Sequence, residues 1–314
     1  MPAQQVASGS SIPDRIALGA LMRLLPPTLV DEVVAQHGRQ EERKRLLPAR
    51  VVVYFILAMT LFTESSYREV MRKLTEGLRE RIARSASWSV PTRGSIAEAR
   101  QRLGVPPIRA LFDRVARPLA GPQTEGAWLR GRWRLTALDG STVNVSDTPA
   151  NEAAFGRPGH SRGERAAYPQ VRLVALAECG THAFLDFADG PGRTGETTMT
   201  RALLKSLQPN MLCLADRNFY SFSLWQEARA TGADLLWRVK KDLILEPLKR
   251  LSDGSYLSTI YPSSRHRERG RGGVIVRVIE FTVDNGAQAL TTYRVITSIL
   301  DPEAASAGEL AIVY

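Results

Sequence analysis

The sequence has few cysteines and no apolar run long enough to cross a membrane. Its two cysteines, Cys179 and Cys213, lie in apolar runs and lack the CxxC spacing of a metal site. We therefore expect core thiols in a reducing compartment rather than a disulfide or a metal site. The longest apolar run, residues 51–62, has about 12 residues where a membrane span needs about 20, so it predicts a buried helix. Because the N-terminus also lacks a basic-then-apolar export signal, we expect a cytoplasmic protein with no membrane partner.

Positive charge is concentrated in the first part of the chain. Residues 1–131 hold 20 basic and 12 acidic groups, a net of +8, whereas residues 132–314 hold 22 and 20, a net of +2. Most of the basic residues are arginines, whose planar guanidinium suits phosphate oxygens. This asymmetry indicates a nucleic-acid-binding module joined to a second domain, with charge that serves only solubility as the alternative.

The periodicity of residues 12–131 predicts a helical region. Helices are expected up to Pro26, from Pro27 onwards, over the apolar run and twice within residues 90–119. A further helix is expected at 65–78, with apolar residues facing a core and a basic side opposite. A basic helix after a turn is compatible with helix-turn-helix contact to DNA, and a solvated amphipathic face explains it equally well.

From Trp133 onwards the pattern changes to β-structure. Three strands followed by alternating strand and helix predict a mixed α/β sheet. Residues 242–300 contain alternating strands and no long helix, so we expect a β-rich insertion with a basic hairpin tip or loop at 263–273. The expected order before it is strands at 134–145, 168–179 and 182–190, a helix at 195–207, a strand at 211–216, a helix at 221–232 and a strand at 234–240.

Two apolar strands end on a carboxylate. Asp139 follows such a run in LTALDGS, and Asp216 does so in MLCLADRNFYSFSLW. If the two strands lie side by side, the carboxylates meet at one edge of the sheet and repel unless a divalent cation lies between them. Metal ions held in this way serve phosphoryl transfer, so the pair indicates a metal-dependent enzyme acting on a nucleic-acid backbone. The alternative is that each aspartate caps a turn.

Several segments of the chain follow one another in a recognisable order. They are IPDRIALGALMRLLPPTLVDEVV, RLLPARVVVYFILAMTLFTESSYREVMRKL, SIAEARQRLGVPPIRALF, LDGSTVNVSDTPANEAAFGRPG, the block from YPQVRLVALAEC to MLCLADRNFYSFSLW, and TTYRVITSILDPEAASAGELAIVY. In order and spacing they resemble bacterial insertion-sequence transposases of the DDE class, in the insertion element 4 family. The resemblance implies an α/β fold, with an RNase H-like mixed-sheet catalytic domain, an α-helical N-terminal domain and a β-rich insertion. It implies a helical DNA-binding domain at 1–131, the first part of the catalytic core at 132–241, the insertion at 242–300 and the start of the last catalytic helix at 301–314.

The resemblance also implies a reaction and its partners. Asp139 and Asp216 would be catalytic and would each bind Mg²⁺ or Mn²⁺, for DNA cleavage followed by strand transfer. The partners would be double-stranded DNA, as terminal inverted repeats and target, and a second copy of the chain in a homodimer on DNA. Arg217 follows the second aspartate as in the family's DR pattern, and would contact either phosphate or a neighbouring acid.

Basic residues in four regions are expected to contact DNA. Two Gly-bearing basic loops, 155–165 and 263–273, are suited to following a DNA strand, with solvated loops as the alternative. The expected contacts are Arg68, Arg72, Lys73, Arg157, Arg162, Arg165, Arg217, Arg265, Arg267, Arg269 and Arg271.

The third acid of the family falls after the last residue of this sequence. The signature runs Tyr, two residues, Arg, three residues, Glu, six residues, Lys, and Tyr314 takes the Tyr position. We therefore expect a chain that lacks the catalytic Glu, as a fragment or as the product of a broken or frameshifted gene. Neither Glu303 nor Glu309 is expected to replace it. Whether the chain is an active enzyme is left open, the alternatives being a non-catalytic transposase that binds element ends and inhibits transposition, and an RNase H-like nuclease.

Overall fold

The computed structural model divides the chain into two compact units, Met1–Val115 and Ala116–Tyr314. It describes residues 12–43, 45–78, 91–159, 165–283 and 291–314. The first unit ends before residue 131, the expected boundary, because the strand Trp128–Leu129 pairs with Trp133–Asn144 in the sheet of the second unit. The assignment of functions to these parts stays a prediction.

The first unit is helical, and its helices begin and end where the sequence places prolines and glycines. Pro26 and Pro48 immediately precede two of the helices and a third starts at Pro106, because proline fits the first helical turn and not the interior. The helical prediction for this region is confirmed. The helices are α1 (Ile12–Leu24), α2 (Pro27–Gln36), α3 (Ala49–Leu61), α4 (Tyr67–Leu78), α5 (Arg93–Leu103) and α6 (Pro106–Val115).

The apolar helix α3 forms the centre of the helical core. Its side chains from Val51 to Phe55 are buried, each contributing roughly 1.5–3 kcal/mol of burial free energy. The Tyr54 hydroxyl donates to the Leu25 carbonyl at 2.5 Å, which satisfies the one polar side-chain atom that this stretch buries.

Among the described residues, no helix combines the length and apolar content that a membrane crossing requires. As predicted, α4 buries Val70, Met71 and Leu74.

The second unit is a mixed sheet with short helices. Its strands are β1 (Trp128–Leu129), β2 (Trp133–Asn144), β3 (Gln170–Glu178), β4 (Phe184–Pro191), β5 (Met211–Ala215), β6 (Asp234–Arg238), β7 (Lys249–Arg250), β8 (Tyr256–Ile260), β9 (Val274–Val283) and β10 (Thr291–Thr297). Its helices are α7 (Pro149–Phe155), α8 (Glu196–Thr200), α9 (Phe222–Ala230), α10 (Ser264–Glu268) and α11 (Ala307–Val313), with a 3₁₀ helix at Arg201–Ser206.

The strand order is that of an RNase H-like sheet extended along one edge. The order is β4-β3-β2-β5-β6-β10-β9-β8-β7. Strands β2, β3 and β4 are antiparallel, whereas β5 runs parallel to both β2 and β6. Strand β10 continues the sheet antiparallel to β6, so the β-rich segment and strands β2 to β6 belong to one sheet. The predicted α/β class is confirmed.

Two hydrophobic layers cover the two faces of this sheet. One contains Leu138, Cys213 and Ala215 with residues of α8 and α9, and the other contains Leu135, Leu214 and residues of α11. Successive side chains of a strand alternate between these layers, as the pleat requires.

Both cysteines are free thiols, as expected. The side chain of Cys213 is buried, which raises its pKa to about 12, and Cys179 is partly buried.

Two predicted elements differ in detail from the structure. The helix expected at 195–207 is α only as far as Thr200 and then continues as the 3₁₀ helix. The Thr200 hydroxyl donates to the Glu196 carbonyl at 2.8 Å and competes with the backbone, which accounts for the change. The basic segment 263–273 is a hairpin tip, as expected, that contains the one-turn helix α10.

Candidate active site

The two strand-end aspartates lie next to each other. In the parallel pair β2 and β5, the register ends with Leu138 opposite Ala215, so Asp139 and Asp216 occupy the next matching positions. Neighbouring strands are about 4.8 Å apart, which places the two residues within reach of one small cation. The juxtaposition expected from the sequence is therefore present in the fold.

Both carboxylates also face the same side of the sheet. On β2, Leu135 and Ala137 belong to the layer that packs against α11, and alternation puts Asp139 on that side. On β5, Leu212 and Leu214 belong to the same layer, and Asp216 follows them. The two acids are thus directed towards the layer that contains the last helix, and no turn-capping role explains this common orientation.

The first acid is exposed to solvent and accepts a hydrogen bond from the next residue of the chain. Asp139 is exposed, and its Oδ1 accepts a hydrogen bond from the Gly140 backbone N–H at 2.8 Å. Gly140 faces the other layer, where a Cβ atom would lie 2.8 Å from Oε1 of Glu196 and would displace that carboxylate. Glu196 is the first residue of α8, and it lies against the opposite face of the strand from Asp139.

The second acid contains an unsatisfied oxygen. Oδ1 of Asp216 is buried and accepts no hydrogen bond from the residues that the structure describes. It lies 3.6 Å from Nη1 of Arg238, which stacks on the Tyr293 ring at 4.2 Å from the ring centroid. Arg238 supplies one positive charge near this oxygen at 3.6 Å without a hydrogen bond, so the oxygen is still able to accept a ligand, and two adjacent carboxylates are the donor set that Mg²⁺ or Mn²⁺ prefers. The residues present therefore fit a divalent metal.

Arg238 was missed by the sequence analysis. It follows Leu236 on the face of β6 that packs against α11, one strand away from Asp216. The available signal was an arginine ending an apolar strand, in the same position on β6 that Asp216 occupies on β5. Without the register of the two strands, that similarity does not identify a contact.

The residue that directly follows the last helix, Tyr314, lies beside the acid pair. The Tyr314 hydroxyl donates to the Ala215 carbonyl at 3.3 Å, immediately before Asp216. Burial raises the pKa of Tyr314, and the negative charge of Asp216 raises it further. The helix α11 therefore points its C-terminal end at the site.

The N-terminal end of α11 is fixed by Glu309, far from the acids. Ser306 and Glu309 form a capping box, and the guanidinium of Arg130 donates to both oxygens of Glu309 at 2.7 and 2.6 Å. The helix has 7 residues and spans about 10 Å, so Glu309 lies most of a helix length from Tyr314. Within the described parts of the chain, no three His, Cys, Asp or Glu residues cluster as a metal site.

The charge of Glu309 has a testable effect on stability. The hydrogen bonds from Arg130 and Ser306 lower the pKa of Glu309 to about 2. A depressed folded-state pKa contributes stability above the ordinary value near 4.5, and this contribution is lost as pH falls towards 2. Glu309→Gln keeps the capping hydrogen bonds and removes the charge, so it should lower Tm at pH 7 by no more than about 2–4 °C, since the ion pair is partly exposed. Thermal melts of both proteins should converge below pH 4, and an equal Tm difference at pH 7 and pH 2.5 would contradict this account.

The basic residues expected to contact DNA differ in their surroundings. Arg72 is paired with Glu69 and Glu76, and Lys73 with Asp14. Arg157 is paired with Asp147 and Glu152, and Arg267 is partly buried, whereas Arg162 lies outside the described residues. The remaining expected contacts are exposed to solvent: Arg68, Arg165, Arg217, Arg265, Arg269 and Arg271.

Comparison with known proteins agrees with this geometry. The family described as insertion element 4 transposase N-terminal matches residues 15–113, and that described as transposase DDE domain matches residues 131–314. Transposase InsG for insertion sequence element IS4, from Escherichia coli K12, is 28% identical over 306 residues, covering 96% of this chain and 66% of InsG. InsZ of the same organism is 28% identical over 218 residues, covering 68% of each chain. The chain thus spans about two thirds of the length of these relatives. The transposase DDE domain matches more than half of the residues of this chain. The chain therefore belongs to the insertion element 4 family of DDE transposases.

Proposed function

We propose that the protein is a DNA transposase in which Asp139 and Asp216 hold divalent metal for cleavage and strand transfer. The observation that carries the proposal is the register of β2 and β5, which aligns the two acids on one face of the sheet. Oδ1 of Asp216 supports the same proposal, because it is a buried acceptor that receives no hydrogen bond from the described residues.

Asp139 and Asp216 would hold Mg²⁺ or Mn²⁺ through their carboxylate oxygens. Metal bound there supplies activation of the attacking oxygen and stabilisation of the leaving oxygen in a phosphoryl transfer. Arg238 stays close to Asp216 and orients its carboxylate, while Tyr314 fixes the backbone carbonyl before it. Arg217 is exposed beside the pair, which suits phosphate contact better than pairing with an acid.

A third ligand would approach the proposed centre from the C-terminal end of α11. The orientation of α11 supports this proposal, because its C-terminal residue is the one that lies beside Asp216. A helix continued for about two turns from Tyr314 would bring further side chains along the same layer.

The proposed substrates are the terminal inverted repeats of an insertion element and a target duplex, bound in the cytoplasm by a homodimer. A second candidate function is a non-catalytic chain that occupies element ends and inhibits transposition. It is favoured by one observation, that no third acid joins Asp139 and Asp216 among the described residues.

A cleavage assay separates these functions. The protein is incubated with Mg²⁺ and a labelled duplex carrying the repeats that flank the gene, with a shuffled duplex as control. A transposase nicks at the repeat boundary and joins the freed end to target DNA. Binding of the repeats without nicking at any metal concentration would support the inhibitor instead, and equal nicking of the shuffled duplex would indicate a general nuclease.

A further inference from the structure

Four arginines surround one concave surface of the helical unit. Arg39, Arg43 and Arg45 lie on the loop between α2 and α3, and Arg102 lies on the last turn of α5. Together with Leu103 and other residues they line a cavity of about 430 Å³, and all four arginines are exposed to solvent. None of the four was among the residues that the sequence analysis selected for DNA contact.

The loop that carries three of these arginines begins at a glycine and is tied to α3 by one of its acids. Gly38, with φ of +61°, ends α2 in a left-handed conformation that favours glycine. Oε1 of Glu41 accepts a hydrogen bond from the Ala49 backbone N–H at 2.6 Å, which places a negative charge at the N-terminus of α3. The loop is therefore held against α3, and its arginines are presented on a supported surface.

Ion pairing distinguishes these arginines from several other basic residues of the unit. The structure gives none of the four an ion pair among the residues it describes, and of the acids lining the cavity Glu41 already caps α3, which leaves Glu42. Five other basic side chains of the unit are paired with carboxylates. These pairs are Arg50–Asp31, Arg72–Glu69, Arg72–Glu76, Lys73–Asp14, Arg109–Asp113 and Arg114–Glu32.

We propose that this arginine pocket, formed by Arg39, Arg43, Arg45 and Arg102, binds the phosphodiester backbone of duplex DNA. Guanidinium groups that are exposed and form no ion pair among the described residues are available to phosphate oxygens, and their planar donors match phosphate geometry. The inference rests on the proposed function, because it takes duplex DNA as the partner. It moves the expected contact away from α4, where Arg72 and Lys73 are occupied by acids.

The test is a salt titration of DNA binding by the full chain. Fluorescence anisotropy with a 30-base-pair duplex compares wild type with Arg43→Ala/Arg102→Ala, which removes one arginine from each wall of the pocket. Each phosphate contact contributes about 0.9 to the slope of log K against log salt concentration. The variant should therefore lose about two units of slope, and about sixtyfold in affinity at 0.1 M salt if binding at 1 M is unchanged. Because phosphates carry no sequence, the loss should be equal for repeat-bearing and random duplexes.

A matched control removes the same charge elsewhere in the unit. Arg109→Ala/Arg114→Ala lowers the net charge equally but deletes arginines that are paired with Asp113 and Glu32, and it should change the slope by less than half as much. Arg43→Lys/Arg102→Lys should retain the slope with weaker binding, since lysine keeps the charge without the planar donors. Melting curves establish that each variant is folded.

Two outcomes would overturn the pocket, and they are distinguishable. Equal losses in the pocket variant and in the control variant would mean that only net charge matters, and the transposase proposal would stand. Absence of any duplex binding by the folded wild-type chain would contradict both the phosphate-binding role of the pocket and the proposed function.

Discussion

Asp139→Ala and Asp216→Ala should each reduce metal-dependent cleavage by the full-length protein at least about a thousandfold. Removal of one preorganised group that stabilises transition-state charge already costs about 10²–10³ in rate, and a carboxylate that holds the metal is needed before any such stabilisation exists. The two losses should not add in the double variant, because the aligned pair acts as one unit. Single-turnover nicking of repeat-bearing DNA measures the effect.

Glu227→Gln is the matched control for this prediction. Glu227 is a carboxylate of the same unit that pairs with Arg201 at the surface, on helix α9, which packs against the opposite face of the sheet from the two aspartates. It should leave cleavage within about twofold of wild type, since surface substitutions have small effects. Retention of cleavage by either aspartate variant, with DNA binding intact, would exclude the pair as the catalytic centre.

Asp253→Ala should destabilise the second unit by about 3–5 kcal/mol, because it leaves a buried arginine without its counter-ion. Arg277 is fully buried, and its guanidinium donates to Asp253, to Ser255 at 2.8 Å and to the Ala305 carbonyl at 2.7 Å. Asp253 also accepts from the Ala307 N–H at 2.7 Å, at the start of α11. The β-rich segment thereby positions the helix whose other end lies beside Asp216. Urea unfolding of the two proteins gives the difference in free energy.

A variant that removes both charges separates the ion pair from simple packing. Asp253→Ala/Arg277→Met replaces the stranded cation by an apolar side chain of similar length, and it should recover part of the lost stability. A double variant less stable than Asp253→Ala by the full effect of Arg277→Met would contradict this account, because the two residues would then be independent.

Local signals in the sequence predicted the elements that local chemistry determines. The apolar run gave α3, prolines gave the helix boundaries, and apolar strands ending on Asp139 and Asp216 gave the candidate pair. Each of these depends on residues close together in the chain. For that reason they were accessible without the fold.

Features that depend on distant residues were not accessible in this way. The burial of Arg277 is decided by Asp253 and by carbonyls of residues 301–305, and the alternation of β9 does not reveal it. The role of Arg238 depends on the register between β5 and β6. The charges of Arg72 and Arg157 were visible, but the acids that occupy them become apparent only when the side chains are placed.

Metal-directed cleavage of the polypeptide tests the central claim most directly. The chain is incubated with Fe²⁺, which accepts the oxygen ligands that Mg²⁺ does, and ascorbate with peroxide then generates radicals at the bound ion. Metal held between Asp139 and Asp216 should yield main-chain cuts close to both residues, suppressed by excess Mg²⁺ and lost in Asp139→Asn. Cuts at other positions only, or cuts that persist unchanged in Asp139→Asn, would contradict the assignment of this pair as the metal site.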